Sequence, residues 1–171
     1  MTLTVKRPSM GTHETEEAAR LIQRHSERAD FRGGASDHEI ARAEDRLGVK
    51  FPPSYRRFLE DLGAGQFGDQ TFFGVIGPEV DSMLDVVSRT LDQRTHGNLP
   101  TTHVVVAPYG SEAFFGFDCA DRRYNEECPV AEFPRDYGDT QEPNYFELDF
   151  GSFLLARIRD ELGERGQFLH P

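Results

Sequence analysis

Between Ser36 and Leu62 the apolar positions fall into two helical stripes. Ile40, Ala43 and Leu47 stand at i, i+3 and i+7, and Tyr55, Phe58, Leu59 and Leu62 follow a second such pattern. The punctuation agrees with the periodicity. Ser36 and Glu39 have the S-x-x-E spacing of a capping box. Gly48 can adopt the left-handed conformation that stops a helix, and Gly63 closes the second stripe. Pro52 and Pro53 disfavour helix before them and suit a first turn. The spacing predicts helices near 37–47 and 53–62, then a strand from Thr71 to Ile76. Val80, Met83, Leu84, Val87 and Leu91 predict a helix from Pro78 to Gln93, ended by Gly97-Asn98. His103 to Pro108 and Glu112 to Cys119 read as strands joined at Tyr109-Gly110, with Ala113, Phe115 and Phe117 sharing one face. Cys128 to Phe133 reads as a third strand, and Pro134 to Asn144 as a loop punctuated by Pro134, Gly138 and Pro143. Asp149 is placed to cap a last helix striped by Phe150, Phe153, Leu154, Ile158 and Leu162.

Upstream, Thr12 to Arg28 reads as a helix capped by Thr12 or Thr15. Its stripe, Leu21 and Ile22, is narrow, which predicts docking on the surface without forming a core. Residues 1–12 carry no pattern. Helices first, an antiparallel sheet in the middle and a helix at the end make an α+β chain. No internal repeat and no second domain are visible.

The motif Glu39-Ile40, Ala43-Glu44, Leu47-Gly48, Phe51-Pro52, Tyr55, Phe58-Leu59 and Gly63 resembles the opening signature of the SUKH (Smi/Knr-like) superfamily in order and spacing. The similarity continues to about Leu155 through Phe115-Gly116-Phe117-Asp118, Pro129-Val130 and the run from Asp149 to Leu154. Where relatives often carry Trp before the first helix, this chain has Phe31. The resemblance implies a single SUKH-like domain over residues 31–165, preceded by an extension over 1–30 with a helix and followed by a tail over 166–171. It also implies a binding protein and not an enzyme. Bacterial members are chiefly immunity proteins that neutralise toxins used between competing cells, and fungal relatives regulate cell-wall synthesis and signalling.

Composition narrows this further. The 171 residues suffice for one domain with a real core, and 14 Phe without any Trp supply most of its aromatic surface. No run of apolar residues reaches membrane-spanning length. The N-terminus has a basic pair but no apolar segment of the secretory kind, so a cytoplasmic location is expected. Of the 19 basic residues only Lys6 and Lys50 are lysine, as in proteins from GC-rich bacterial genomes. Cys119 and Cys128 match no zinc spacing and are expected to be buried, reduced thiols. The histidines lack metal-ligand spacing. Gly63 to Gly68 spells G-x-G-x-x-G, but it follows a helix and opens a strand, the reverse of a dinucleotide site. Asp81 and Asp85, at i, i+4, read as a solvent-exposed like-charge pair. No catalytic residue, metal ligand or cofactor is expected.

The formal charge is −11, and residues 66–150 hold 16 acidic against 5 basic side chains, so the entire excess lies there. It peaks between Asp118 and Glu142, where eight carboxylates face three arginines. This field repels nucleic acid and attracts basic partners. The plainer reading is a solubilising surface. Carboxylates interleaved with tyrosines suit an interface, because Tyr offers rigid contact area while acids pair with Arg or Lys. The expected partner surface is therefore Asp118, Asp121, Tyr124, Glu126, Glu127, Asp136, Tyr137, Asp139, Glu142 and Tyr145, and the expected partner is a basic protein toxin bound by a monomer. A regulatory adaptor of the Smi/Knr kind is the second reading. A hydrolase built on the Asp118–Asp139 carboxylates is the third.

Overall fold

A computed structural model describes residues 10–77, 83–138 and 142–164. In it a mixed α+β domain is built from five α-helices and two antiparallel sheets. The helices are α1 (Met10–Arg24), α2 (Asp37–Leu47), α3 (Pro53–Asp61), α4 (Val86–His96) and α5 (Phe150–Glu161). The strands are β1 (Ala29–Phe31), β2 (Gly65–Phe67), β3 (Gln70–Phe72), β4 (His103–Tyr109), β5 (Ala113–Asp118), β6 (Val130–Pro134) and β7 (Asn144–Glu147). One sheet has the order β1-β2-β3 and the other β4-β5-β6-β7. The Phe73 amide, just past β3, donates to the Val106 carbonyl at 2.7 Å, which ties the first sheet to the edge of the second. β7 is the opposite edge of the four-stranded sheet.

The helix boundaries follow local chemistry. Ser36 Oγ accepts from the Glu39 amide at 3.2 Å, and the Glu39 carboxylate accepts from the Ser36 amide at 2.7 Å, completing the capping box. Gly48 ends α2 at φ 68°, where a side chain would be strained. Glu44 is buried inside the domain. Its carboxylate accepts from the Phe51 amide at 2.8 Å and pairs with Arg56, which fixes the α2–α3 connection.

The core is aromatic. Tyr55 and Phe58 of α3 meet Phe150 of α5, Phe117 of β5 and Phe72 of β3 in one ring cluster. The Tyr55 hydroxyl donates to the Phe73 carbonyl at 2.8 Å, so its one polar atom is satisfied. Leu62, expected alongside them, is only partly buried. Phe115 and Phe117 face α5 and α3, while Phe114 faces Phe73 across the other side of β5.

Three expectations are corrected. α1 begins at Met10, and Thr15 is no cap. It is a fully buried residue whose hydroxyl hydrogen-bonds the Gly11 and Ser54 carbonyls. The helix does form core: Ala18 and Ile22 are buried, and it packs closely on α3 and α5. A Cβ on Gly151 would collide with the Gly11 carbonyl, so glycines set this close crossing. Second, the helix expected from Pro78 starts at Val86, because Asp85 is its N-cap and accepts from the Ser88 amide at 2.9 Å. Asp85 is therefore a buried cap and not an exposed member of a pair with Asp81, and residues 78–82 lie outside the described part. Third, the strand expected from Thr71 to Ile76 runs over Gln70–Phe72, and β1, β2 and β7 are further strands. The G-x-G-x-x-G stretch provides the turn after α3, then β2, then the turn at Gly68.

Candidate partner-binding surface

Part of the acidic segment, the turn bearing Asp121 and Arg123, meets the β7 edge, whereas Asp118 lies beside His103 of β4 and Asp136 beside Asn98. After β5, the chain turns through Asp121 and a short 3-10 helix (Tyr124–Glu126), then returns as β6. Arg122 holds this turn. Its guanidinium donates to the carbonyls of Cys119 at 3.1 Å, Glu126 at 3.0 Å and Lys50. Asn125 and Glu126 both have positive φ, 54° and 65°. The turn projects Tyr124, which is 91% exposed.

Asp121 and Arg123 form a forked pair at 3.1 and 3.0 Å. The Arg123 guanidinium lies 5.0 Å from the Tyr145 ring centroid, and the Tyr145 hydroxyl donates to Asp121 at 3.4 Å. The hydrogen bonds from Arg123 hold the Asp121 carboxyl below its ordinary pKa. Tyr145 sits on β7, so this triad staples the turn to the sheet edge. Asp118, half-buried at the end of β5, accepts from the Ala120 amide at 2.9 Å and lies 3.8 Å from His103 Nδ1. The His103 ring is buried against Phe133 and Tyr137, and burial lowers its pKa. Tyr137 is half-buried by the same contacts, and desolvation raises its pKa. Asp136 is exposed and accepts from Asn98 Nδ2 at 3.4 Å; Glu142 is exposed just before β7. Asp139 lies outside the described residues.

Glu127 is a correction. It is 4% exposed, and its carboxylate accepts from the Ser54 amide at 2.9 Å and the Ser54 hydroxyl at 2.7 Å. Ser54 stands in the first turn of α3, where backbone amides are unpaired and the helix dipole favours negative charge. Glu127 is therefore an internal anchor, not surface.

Two exposed apolar residues were missed: Phe146 on β7, 39% exposed, and Leu148 beyond it, 74% exposed. Phe146 packs edge-on against Phe115 at 5.1 Å and against the half-exposed Tyr109 at 5.8 Å. The signal for them was the aromatic pair Tyr145-Phe146 between Pro143 and the Asp149 cap. Cys119 and Cys128, which flank this region, are free and buried, and burial pushes each thiol up to about 12. Among the described residues no group of three or more His, Cys, Asp or Glu is placed to hold a metal ion. No described helix is long and apolar enough to cross a membrane.

Residues 15–156 match the model of the family described as SMI1-KNR4 cell-wall, of SUKH type. The match opens within α1 and closes within α5. A crystal structure of a protein from Pseudomonas syringae pv. tomato superposes with a TM-score of 0.58 at 13% identity, over 81% of this chain and 94% of that one. At that identity the likeness speaks for the fold alone.

Proposed function

Since the chain belongs to the SMI1-KNR4 cell-wall family of SUKH-type proteins, we propose that it is an immunity protein, which binds and neutralises a protein toxin used between competing bacterial cells. The observation that carries this reading is the β7 edge, where exposed carboxylates and exposed aromatic rings stand together on a rigid sheet. Tyr124, Tyr145 and Phe146 supply rigid contact area of the kind that dominates protein interfaces. Glu126, Asp136 and Glu142 are exposed, and Asp118, Asp121 and Tyr137 are half-buried. Asp139 joins this set by sequence.

In this reading the rings and the edge give affinity and the acids give speed. A basic toxin is drawn to the negative edge and orients before contact, which raises the association rate and makes it salt-sensitive. Bound there, the protein blocks the toxin's active site or substrate path without chemistry of its own. The test is coexpression with the toxin domain encoded beside this chain's gene. Restored growth together with a stable complex supports the proposal. A toxic domain that is neither bound nor neutralised overturns it. A regulatory adaptor is the second reading, favoured by the cell-wall description of the matched family; it predicts a partner other than a toxin.

A further inference from the structure

We propose that the face of the four-stranded sheet that bears Phe114 carries an oxyanion-binding groove built on Arg32, Arg89 and Arg135. These three line a depression of about 650 Å³ where the β2–β3 hairpin, the start of α4 and the ends of β4 and β6 meet. Phe73, Leu84 and Pro108 are among the residues that give it apolar lining. The groove lies on the Phe114 face of the sheet, which Tyr145 shares through its pairing with Ala131, and on the opposite side from Phe146, which meets Phe115.

Five other arginines are paired with acids: Arg28 with Glu161, Arg56 with Glu44, Arg57 with Asp61, Arg123 with Asp121 and Arg159 with Glu17. Arg32, Arg89 and Arg135 make no ion pair with any described residue. Two of them are stacked on one ring: the Arg135 guanidinium lies 4.3 Å and that of Arg89 5.7 Å from the Phe114 centroid, and Arg89 lies 5.4 Å from Phe73. Two cations over one ring repel each other, and the stacking fixes them. In both residues Nε is buried without an acceptor, which leaves the terminal Nη pair as the edge open to a ligand. An end-on guanidinium pair is a donor fork for carboxylate or phosphate. Asp30, also on the rim, is the one described carboxylate lining the groove. The shared ligand chemistry is thus an oxyanion on a molecule that also brings apolar surface.

The site is independent of the toxin reading, and its test needs no toxin. The Arg Nε–H resonances are followed by NMR while inorganic phosphate, or an acetylated Phe-Asp-Glu peptide, replaces chloride at constant ionic strength. Arg89 and Arg135 signals should move saturably. R89Q/R135Q should weaken binding by about tenfold or more, the loss expected when charge-assisted donors are removed. Should that variant fail to fold, the exposed single substitution R32Q should still weaken binding by roughly threefold. Tighter binding of the peptide assigns the groove to carboxylates of a protein partner, and tighter binding of phosphate to a phosphorylated ligand. No saturable shift with either probe at tens of millimolar, or unchanged affinity in folded variants, overturns the proposal.

Discussion

Glu126 and Glu127 are identical neighbours with opposite fates, and replacing each by Ala separates surface from anchor. Glu126 is exposed, so its loss should change stability by no more than about 0.5 kcal/mol. Glu127 accepts two hydrogen bonds from Ser54, at 2.9 and 2.7 Å, across 73 residues of chain. Bonds to a charged acceptor contribute about 1.5 kcal/mol or more each, so Glu127→Ala should cost about 3 kcal/mol. The cost comes partly from leaving a buried first-turn amide of α3 without an acceptor. For a domain of this size that is a fall of roughly 6–12 °C in melting temperature. Urea unfolding followed by circular dichroism reads it directly: the midpoint should drop at unchanged m-value. Equal midpoints for the two variants would refute the argument and return Glu127 to the surface.

Phe58→Ala should cost about 3–5 kcal/mol, since the ring is fully buried among Phe31, Tyr55, Phe72 and Phe150; a near-silent melting curve would contradict this packing. Cys119 and Cys128, pushed up to about 12 by burial, should resist iodoacetamide in the native protein at pH 8, and mass spectrometry should find two adducts after denaturation without reductant. Rapid native labelling would count against their burial. Burial lowers the His103 pKa from 6.5, so the unfolded chain takes up that proton first on acidification. The stability His103 contributes is complete above about pH 6.5 and is lost as the pH falls below it. His103→Phe should therefore lose less melting temperature between about pH 7 and pH 5 than the wild type, and equal slopes would refute the sign.

What could be read from the sequence was local. The capping box at Ser36 and Glu39, the stop at Gly48 and the α3 stripe depend on residues within one or two turns of each other, and they came out as expected. β1, β2 and β7 are three or four residues long, too short for a period-2 pattern, and β3 was expected but only with displaced bounds. α1 was underrated because its packing face is made of Gly11, Thr15 and Ala18, small residues that a count of large apolar positions passes over. The acidic excess was legible, but its division was not. Nothing near Glu127 in sequence announces Ser54, and the Asp121–Arg123–Tyr145 triad closes only when β7 pairs with β6. The Arg89–Arg135 pair over Phe114 likewise joins α4 to the end of β6, beyond any local signal.

The central claim, that the acidic β7 edge meets a basic toxin, is tested most directly by stopped-flow association with the neighbouring toxin domain. Wild type is compared with a variant in which Glu126, Asp136 and Glu142 are replaced together by Ser. These residues are exposed, so folding should be unchanged. At low salt the variant should associate about tenfold more slowly, and the difference should shrink as salt screens the wild-type attraction. Equal association rates at low salt would contradict the account and leave the acidic edge a solubilising surface.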